Sequence, residues 1–401
     1  MNRQLINGDG QERECIVYLE SYFKSEDGIV VAYIDFRQLK DFVMFRQITG
    51  LPENSGSYIE LLSLKSSKRL MQGCYYKLNL NLLKEFKLKR NENSLIIGGS
   101  YDMSKMERPK DDEGELLQRH NPLEPEEMSK SNLPPHLQVN IPTTNNMSLF
   151  VKDVGQANWN ELRFGDSIAV LYDAGAGLCA PKAEIESIFN SRKKDLELSK
   201  PILVISHWDI DHIHCLKLLS QDDIPRFFSM LICVDKIKSM TAGYIYDNFK
   251  KALGPQKVWC VPPATKTNGI DMHLLRKMGC ISMYIGERSR SVNYCGIAMF
   301  VRGSVKSANY TGDCRLLQAQ RVYDQETAKG INTLKHVLVA PHHGGDCGAK
   351  YRIYSVPCDE IAISVGARNG YNHPHTDMLR YLKQLGNVTR TDIVGDILMN
   401  L

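Results

Sequence analysis

No two cysteines in this 401-residue chain stand at CxxC spacing, although there are eleven of them. Scattered at irregular intervals, they do not read as a disulfide framework, and a reducing cytoplasm suits them better. Long apolar runs are missing too. The longest are strand-sized, well short of the ~20 residues that a membrane-spanning helix needs, so no membrane insertion is expected. The opening residues, MNRQLINGDGQERE, contain no apolar leader core, and no secretory signal is expected. A large excess of one charge sign is missing as well. The formal net charge of +4 permits a nucleic-acid partner without arguing for one. What the chain does have is 43% hydrophobic residues, ample for packed cores, on a length that suits two domains.

Residues 1–100 read mainly as strands, in ECIVYLESYF, GIVVAYIDF, GSYIELLSL, GCYYKLNLNL and NSLIIGG. These are rich in β-branched and aromatic residues and are bounded by turn residues. About five strands imply a small mainly-β domain, a barrel or sandwich, with one helix in FRQLKDFVMFRQI. Lys65, Lys68, Arg69, Lys84, Lys87, Lys89 and Arg90 lie among aromatics there. They read as a solvated strand face more readily than as a nucleic-acid surface. Residues 101–147 are charged and punctuated by prolines, which fix φ and remove donors, so a linker is expected.

Residues 148–401 alternate strand and helix signals. SLFVKDVGQANWNELRFGDSIAVLYDAGAG reads as two strands, and PKAEIESIFNSRKKD as a helix with Pro181 in its first turn. LICV and KVWCVPP are further strands, HLLRKMG reads as a helix, and VTRTDIVGDILMNL reads as a terminal hairpin or strand pair.

The chemistry concentrates in PILVISHWDIDHIHCL, residues 201–216. Ile202 to Ile205 is a buried strand by composition, and Ile213, Leu216 and Leu219 have helical spacing. In the extended loop between, alternate side chains share a side. His207, Asp209 and Asp211 would then face one way, with His212 entering from the first helical turn. Imidazole and carboxylate at this density suit a divalent metal such as zinc or manganese. An N-capping Asp explains one of these residues, not all four. The rest of the domain repeats the arrangement: Asp173, Asp313, the His342–His343 pair and the His373–His375 loop each follow an apolar strand. In an α/β architecture such strand ends gather along one sheet edge.

These residues resemble, in order, the motifs of the metallo-β-lactamase fold, and within it the domain of ComEC-type DNA-uptake proteins. That pattern runs DVGQGD, DAG, SHxDxDHxGG, TGD, HHGS, SVGxxNxYGHP and RTDxxGxI. The matches here are Asp153–Gln156, Asp173–Gly175, Ser206–His212, Thr311–Asp313, His342–Gly344, Ser364–Pro374, and Arg390–Asp392 with Gly395. The resemblance implies an αββα sandwich behind the small β-rich domain. It implies one or two divalent ions, manganese or zinc. His207 and Asp209 would hold one and Asp211 and His212 the other, Asp313 would bridge them, and His342 or His343 with His373 would complete the shells. Asp173 would orient ligands from behind. It further implies metal-assisted hydrolysis of a phosphodiester by a water of lowered pKa. His375, or whichever of the paired histidines is not a ligand, would protonate the leaving group.

Departures from the pattern bear on function. Asp209 stands where lactamases and lactonases of the fold carry His, which favours harder cations and disfavours hydrolysis of lactones, thioesters or β-lactams. No His between 215 and 270 offers the additional ligand that many of these enzymes have. Asn158 replaces a carboxylate of the first motif, and His214–Cys215 replaces the glycine pair after Asp211–His212; His214 is given a supporting or structural place. Two readings follow. One is a cytoplasmic phosphodiesterase or nuclease whose residues 1–100 recruit nucleic acid or a protein partner. The other is a degenerate domain serving as a binding or regulatory module, or a hydrolase of another small molecule.

Overall fold

The structure, a computed structural model, describes residues 14–24, 30–51, 59–63, 70, 72–91, 94–100, 106, 146–178, 180–265, 267–289, 291–328, 334–347, 354–367 and 369–401. The chain divides into two units, Met1–Glu127 with Ile237–Tyr244, and Met128–Lys236 with Ile245–Leu401. Of the expected linker, residues 101–147, all but Met106, Asn146 and Met147 lie outside the described residues, as do Lys65, Lys68 and Arg69.

The strands of the first unit are β1 (Glu14–Lys24), β2 (Val30–Phe36), β3 (Ile59–Ser63), β4 (Cys74–Asn79), β5 (Lys84–Asn91) and β6 (Ser94–Ser100). They form one sheet in the order β4-β1-β2-β3-β6-β5, where the sequence suggested about five strands in a barrel or sandwich. β5 is the addition. Only Phe86 and Leu88 carry its apolar signal, so KEFKLKRN reads as basic surface. The expected helix runs from Leu39 to Thr49 and is closed by Gly50 in the left-handed region. It sets Phe45 4.9 Å from Phe36, centroid to centroid, over a core that includes Val17, Leu19, Ile34 and Leu78. Two buried charges, Glu20 and Lys238, pair at 3.2 Å. The Lys238 ammonium also lies 4.0 Å from the Tyr18 ring centroid.

The second unit is an αββα sandwich. Its strands are β7 (Met147–Val151), β8 (Trp159–Phe164), β9 (Ser167–Ala174), β10 (Ile202–Ile205), β11 (Met230–Val234), β12 (Val258–Val261), β13 (Met272–Met278), β14 (Ile281–Gly286), β15 (Ile297–Arg302), β16 (Lys306–Tyr310), β17 (Lys335–Val339), β18 (Glu360–Ile363), β19 (Asn387–Arg390) and β20 (Ile397–Asn400). One sheet runs β12-β11-β10-β9-β8-β7-β20 and the other β13-β14-β15-β16-β17-β18-β19. The sheets face each other across a core in which the Tyr172 and Tyr310 rings lie 5.6 Å apart. The Tyr172 hydroxyl donates to Ile297 O at 2.6 Å, from one sheet to the other. Helices cover both outer faces. Lys182–Ser199 brings Phe189 to 6.4 Å from Trp159. Leu316–Thr327 buries Val322 with Phe300. Thr376–Leu385 buries Met378 and Leu382 with Ile361 and Ile363.

Three local expectations are corrected. HLLRKMG is not helical but lies in β13, paired antiparallel with β14 from Met272–Gly286 to Met278–Ile281. Its apolar spacing mimics a helix, and the fully buried ISMYIG strand beside it supplies the partner that decides the matter. The stretch 148–177 holds three strands, because Gly165, at φ 58, turns the chain between β8 and β9. The C-terminus is no hairpin: β19 joins β18 in one sheet, while β20 joins β7 in the other.

Candidate metal centre

β9, β10 and β11 are parallel neighbours, and so are β16, β17, β18 and β19. Their carboxyl ends deliver polar side chains to one edge of the sandwich. Asp173, in β9, is buried and has φ 62, a left-handed conformation that Asp tolerates better than most residues. Its Oδ1 accepts from the Ser206 N–H at 2.7 Å. Its Oδ2 accepts from the Ser206 hydroxyl and from His212 Nδ1, each at 2.8 Å.

The turn after Asp173 must be glycine for a steric reason. A Cβ on Gly175 would stand 1.8 Å from Asp211 O. The backbones of Gly175, Asn158 and Asp211 are in register there, with Gly175 N–H to Asn158 O at 2.8 Å and Asn158 N–H to Asp211 O at 3.0 Å. The DAG turn therefore holds the backbone that carries Asp211.

Two overlapping groups of donors result, His207 with His212 and Asp313, and Asp211 with His212 and His343. Within each, the ligand atoms lie within 4.8 Å of one another. His343 follows β17 and has φ 54. Its Nδ1 donates to Ser364 O at 2.8 Å, which leaves Nε2 3.2 Å from Asp211 Oδ2. His212 is arranged the same way: Nδ1 donates to Asp173 and Nε2 lies 3.2 Å from Asp313 Oδ1. An imidazole whose Nδ1–H is committed to a protein acceptor presents Nε2 as a lone pair, the usual second-sphere arrangement of a metal-bound histidine.

The electrostatics fit a divalent cation. Asp313 Oδ1 is buried and accepts no hydrogen bond among the described residues, despite its closeness to His212. Burial would lower the His212 pKa, yet Asp173, Asp313 and Asp211 together hold it well above the usual imidazole range. Asp313 shows the converse. Burial would raise its carboxyl, and His342 and His212 hold it well below the carboxylate range. Carboxylates converging in a buried place demand positive charge, and a bound cation is the strongest source of it.

The remaining residues expected at the site fall around these groups. Asp209 is at the N-cap of the helix Ile210–Ile213 but makes no side-chain cap bond. Its Oδ2 lies 3.4 Å from His207 Nε2 instead. Asn158 Nδ2 lies 3.4 Å from His212 Nε2. His342 Nδ1 lies 2.6 Å from Asp313 Oδ2. His373 Nδ1 accepts from Gln156 Nε2 at 3.1 Å, and burial together with the neighbouring histidines pushes its pKa down to about 2. The His375 ring is 5.2 Å from that of His373, and the His375 backbone N–H donates to Gly344 O at 2.9 Å. His214 turns to the loop backbone, 3.0 Å from Gly177 O, and burial lowers its pKa to about 3. Sequence reasoning did not single out Asn293, whose Nδ2 lies 3.3 Å from Asp313 Oδ2. A lone Asn in a turn carries no spacing signal.

The sequence matches no protein-family model and no curated protein, so its resemblance to ComEC-type domains rests on the motifs quoted above. Among solved structures it is similar to the metallo-β-lactamase fold protein YhfI from Bacillus subtilis, at 12% identity and a TM-score of 0.36, over 63% of this chain and 99% of that one. It is also similar to CmlA, a diiron β-hydroxylase from Streptomyces venezuelae, at 13% identity and a TM-score of 0.33, over 65% of this chain and 55% of that one. A third is the long form RNase Z from yeast, at 9% identity and a TM-score of 0.33, over 82% of this chain and 50% of that one. The chain thus spans about half the length of the latter two.

Proposed function

We propose that the second unit is a metal-dependent hydrolase, a phosphodiesterase or nuclease acting on nucleic acid, and DNA before RNA. The observation that carries the metal is Asp313 Oδ1, a buried carboxylate oxygen that accepts no hydrogen bond among the described residues, 3.2 Å from a histidine nitrogen that is itself oriented from behind. His207, His212 and Asp313, with Asp209 beside them, would hold one ion. Asp211, His212 and His343 would hold a second or share the first. Of the histidine pair, His343 is the ligand in this reading, because its Nε2 faces Asp211 while His342 faces Asp313.

A divalent ion bound there supplies Lewis acidity and a hydrolytic water that ionises near neutral pH. The protein's own part is orientation and proton transfer. Asp173 and Ser364 O fix the tautomers of His212 and His343. His373 accepts from Gln156, and His375 stands next to it, so His375 is the candidate acid for the leaving oxygen. The carboxylate-rich donor set favours manganese at least as much as zinc. No helix among the described residues is long and apolar enough to cross a membrane, and no disulfide links the described cysteines. A cytoplasmic location is part of this reading, on the irregular spacing of the cysteines in the sequence. Residues 1–100 would recruit a long substrate or a protein partner, raising effective concentration more than altering the chemistry.

The test is elemental analysis of the purified protein, followed by assay on a chromogenic phosphodiester with added manganese or zinc. Asp211→Ala with His212→Ala should strip the metal and the activity together. Metal-loaded wild type that cleaves no phosphodiester would leave the binding-module reading in its place.

A further inference from the structure

The two oxygens of Asp313 have different surroundings. Oδ1 faces His212 Nε2 and accepts no hydrogen bond among the described residues. Oδ2 lies 2.6 Å from His342 Nδ1 and 3.3 Å from Asn293 Nδ2, with His207 Nε2 farther off at 3.8 Å. Asn293 is 9% exposed and begins the short turn Asn293–Cys295 that leads into β15. Its other end is held as well, since the Ser291 hydroxyl donates to Asn293 Oδ1 at 3.2 Å. Asp313 Oδ2 is a carboxylate oxygen that only accepts, which assigns the amide nitrogen to its side and leaves Asn293 Oδ1 for the Ser291 hydroxyl. The same nitrogen comes within 3.2 Å of His342 Nδ1, so one amide touches both partners of the Asp313–His342 contact.

We propose that Asn293 is a positioning residue for the metal centre. With His342 it occupies Asp313 Oδ2, so that the carboxylate meets a divalent cation through Oδ1 alone. The inference rests on the metal-dependent reading above. A carboxylate with one oxygen committed to two donors offers a cation one oxygen, not a chelating pair, and it cannot rotate to offer the other. Asn293 thereby restricts the coordination number at the centre. Remove the amide and Oδ2 regains its freedom. Asp313 can then chelate or swing away, and the ion is held more weakly and with a different geometry.

Cobalt(II) tests this without any assay of activity, because the intensity and position of its visible bands report coordination number. The full-length protein is stripped with a chelator and titrated with cobalt(II) against a chromophoric competitor, alongside Asn293→Leu and Asn293→Ala. Leu has nearly the shape of Asn but no donor, so a role in packing alone predicts wild-type behaviour for Asn293→Leu. The positioning role predicts a changed cobalt spectrum in both variants and binding weaker by roughly 10–100-fold. Should one variant fail to give a folded circular dichroism spectrum, the other carries the test. Wild-type spectrum and affinity in a folded variant lacking the donor would overturn the inference while leaving the metal centre standing. A wild-type protein that takes up no cobalt would overturn the metal reading and this inference with it.

Discussion

Asp173 Oδ2 stands 2.8 Å from His212 Nδ1, and neither side chain is exposed to solvent. This pair sets the tautomer of the histidine shared by both donor groups. Asp173→Asn keeps the shape and tolerates the left-handed φ, but it removes the acceptor-only carboxylate. The prediction is a loss of roughly 10–100-fold in metal affinity or activity with the fold retained. Metal content after gel filtration checks it; an Asp173→Asn protein that retains wild-type metal at limiting concentration would show that the contact is only structural.

A second prediction concerns the buried ion pair of the first unit. Glu20 and Lys238 are both under 6% exposed and lie 3.2 Å apart. Removing one partner leaves a charge in a poorly solvated place, so Glu20→Ala should destabilise that unit by about 3–5 kcal/mol. Adding Lys238→Met should recover most of the loss, because the cost comes from the stranded ammonium more than from the lost attraction. Urea unfolding of the single and double variants decides it, and additive losses would refute the argument.

The candidate site was legible in sequence where a donor follows an apolar strand. Asp173, His207, His212, Asp313 and His343 all do, and parallel pairing brings those ends to one edge. The two-sheet sandwich was expected only from the resemblance to the metallo-β-lactamase fold, since the strand ends by themselves indicate no more than an α/β architecture. Adjacent residues such as His342 and His343 could not be told apart, since strand periodicity says nothing about two successive left-handed residues. Asn293 was invisible because a single amide in a turn has no pattern. β13 and β5 were misread or missed because their short, mixed sequences are decided by the strands beside them. The grouping of Ile237–Tyr244 with the first unit is a long-range contact that no local signal reports.

Acid should act on Glu287. Its carboxylate accepts from the Thr267 N–H at 3.0 Å, the Asn268 N–H at 3.1 Å, the Gly269 N–H and the Thr267 hydroxyl, with His273 Nε2 at 3.2 Å. Burial would raise its pKa, but these donors outweigh burial and hold it at about 2. The folded pKa lies below the unfolded value of about 4.3. The stabilisation is therefore complete above the unfolded pKa and is lost as pH falls toward the folded one. Glu287→Gln should be less stable than wild type near neutrality, and the gap should close between pH about 5 and about 2. Urea midpoints across that range measure it, and a gap that stays constant with pH would contradict the assignment.

The last prediction addresses substrate class. Arg315 follows Asp313 by two residues, and its guanidinium lies 4.0 Å from the ring centroid of Tyr294, the residue after Asn293. Stacking on an aromatic face holds the planar fork in place, so less freedom is lost when it meets a ligand. A guanidinium can grip two phosphate oxygens at once, which a lysine cannot. If a phosphodiester is the substrate, Arg315→Ala should raise KM by about tenfold, the scale of one charge-assisted hydrogen bond. It should leave kcat and metal content nearly unchanged, and Arg315→Lys should restore only part of the loss. On a long nucleic acid the same change should flatten the dependence of binding on salt, because about one phosphate contact disappears. An unchanged KM in a metal-replete Arg315→Ala protein would remove Arg315 from substrate binding. If kcat fell along with metal content instead, Arg315 would have to be reassigned to holding Asp313.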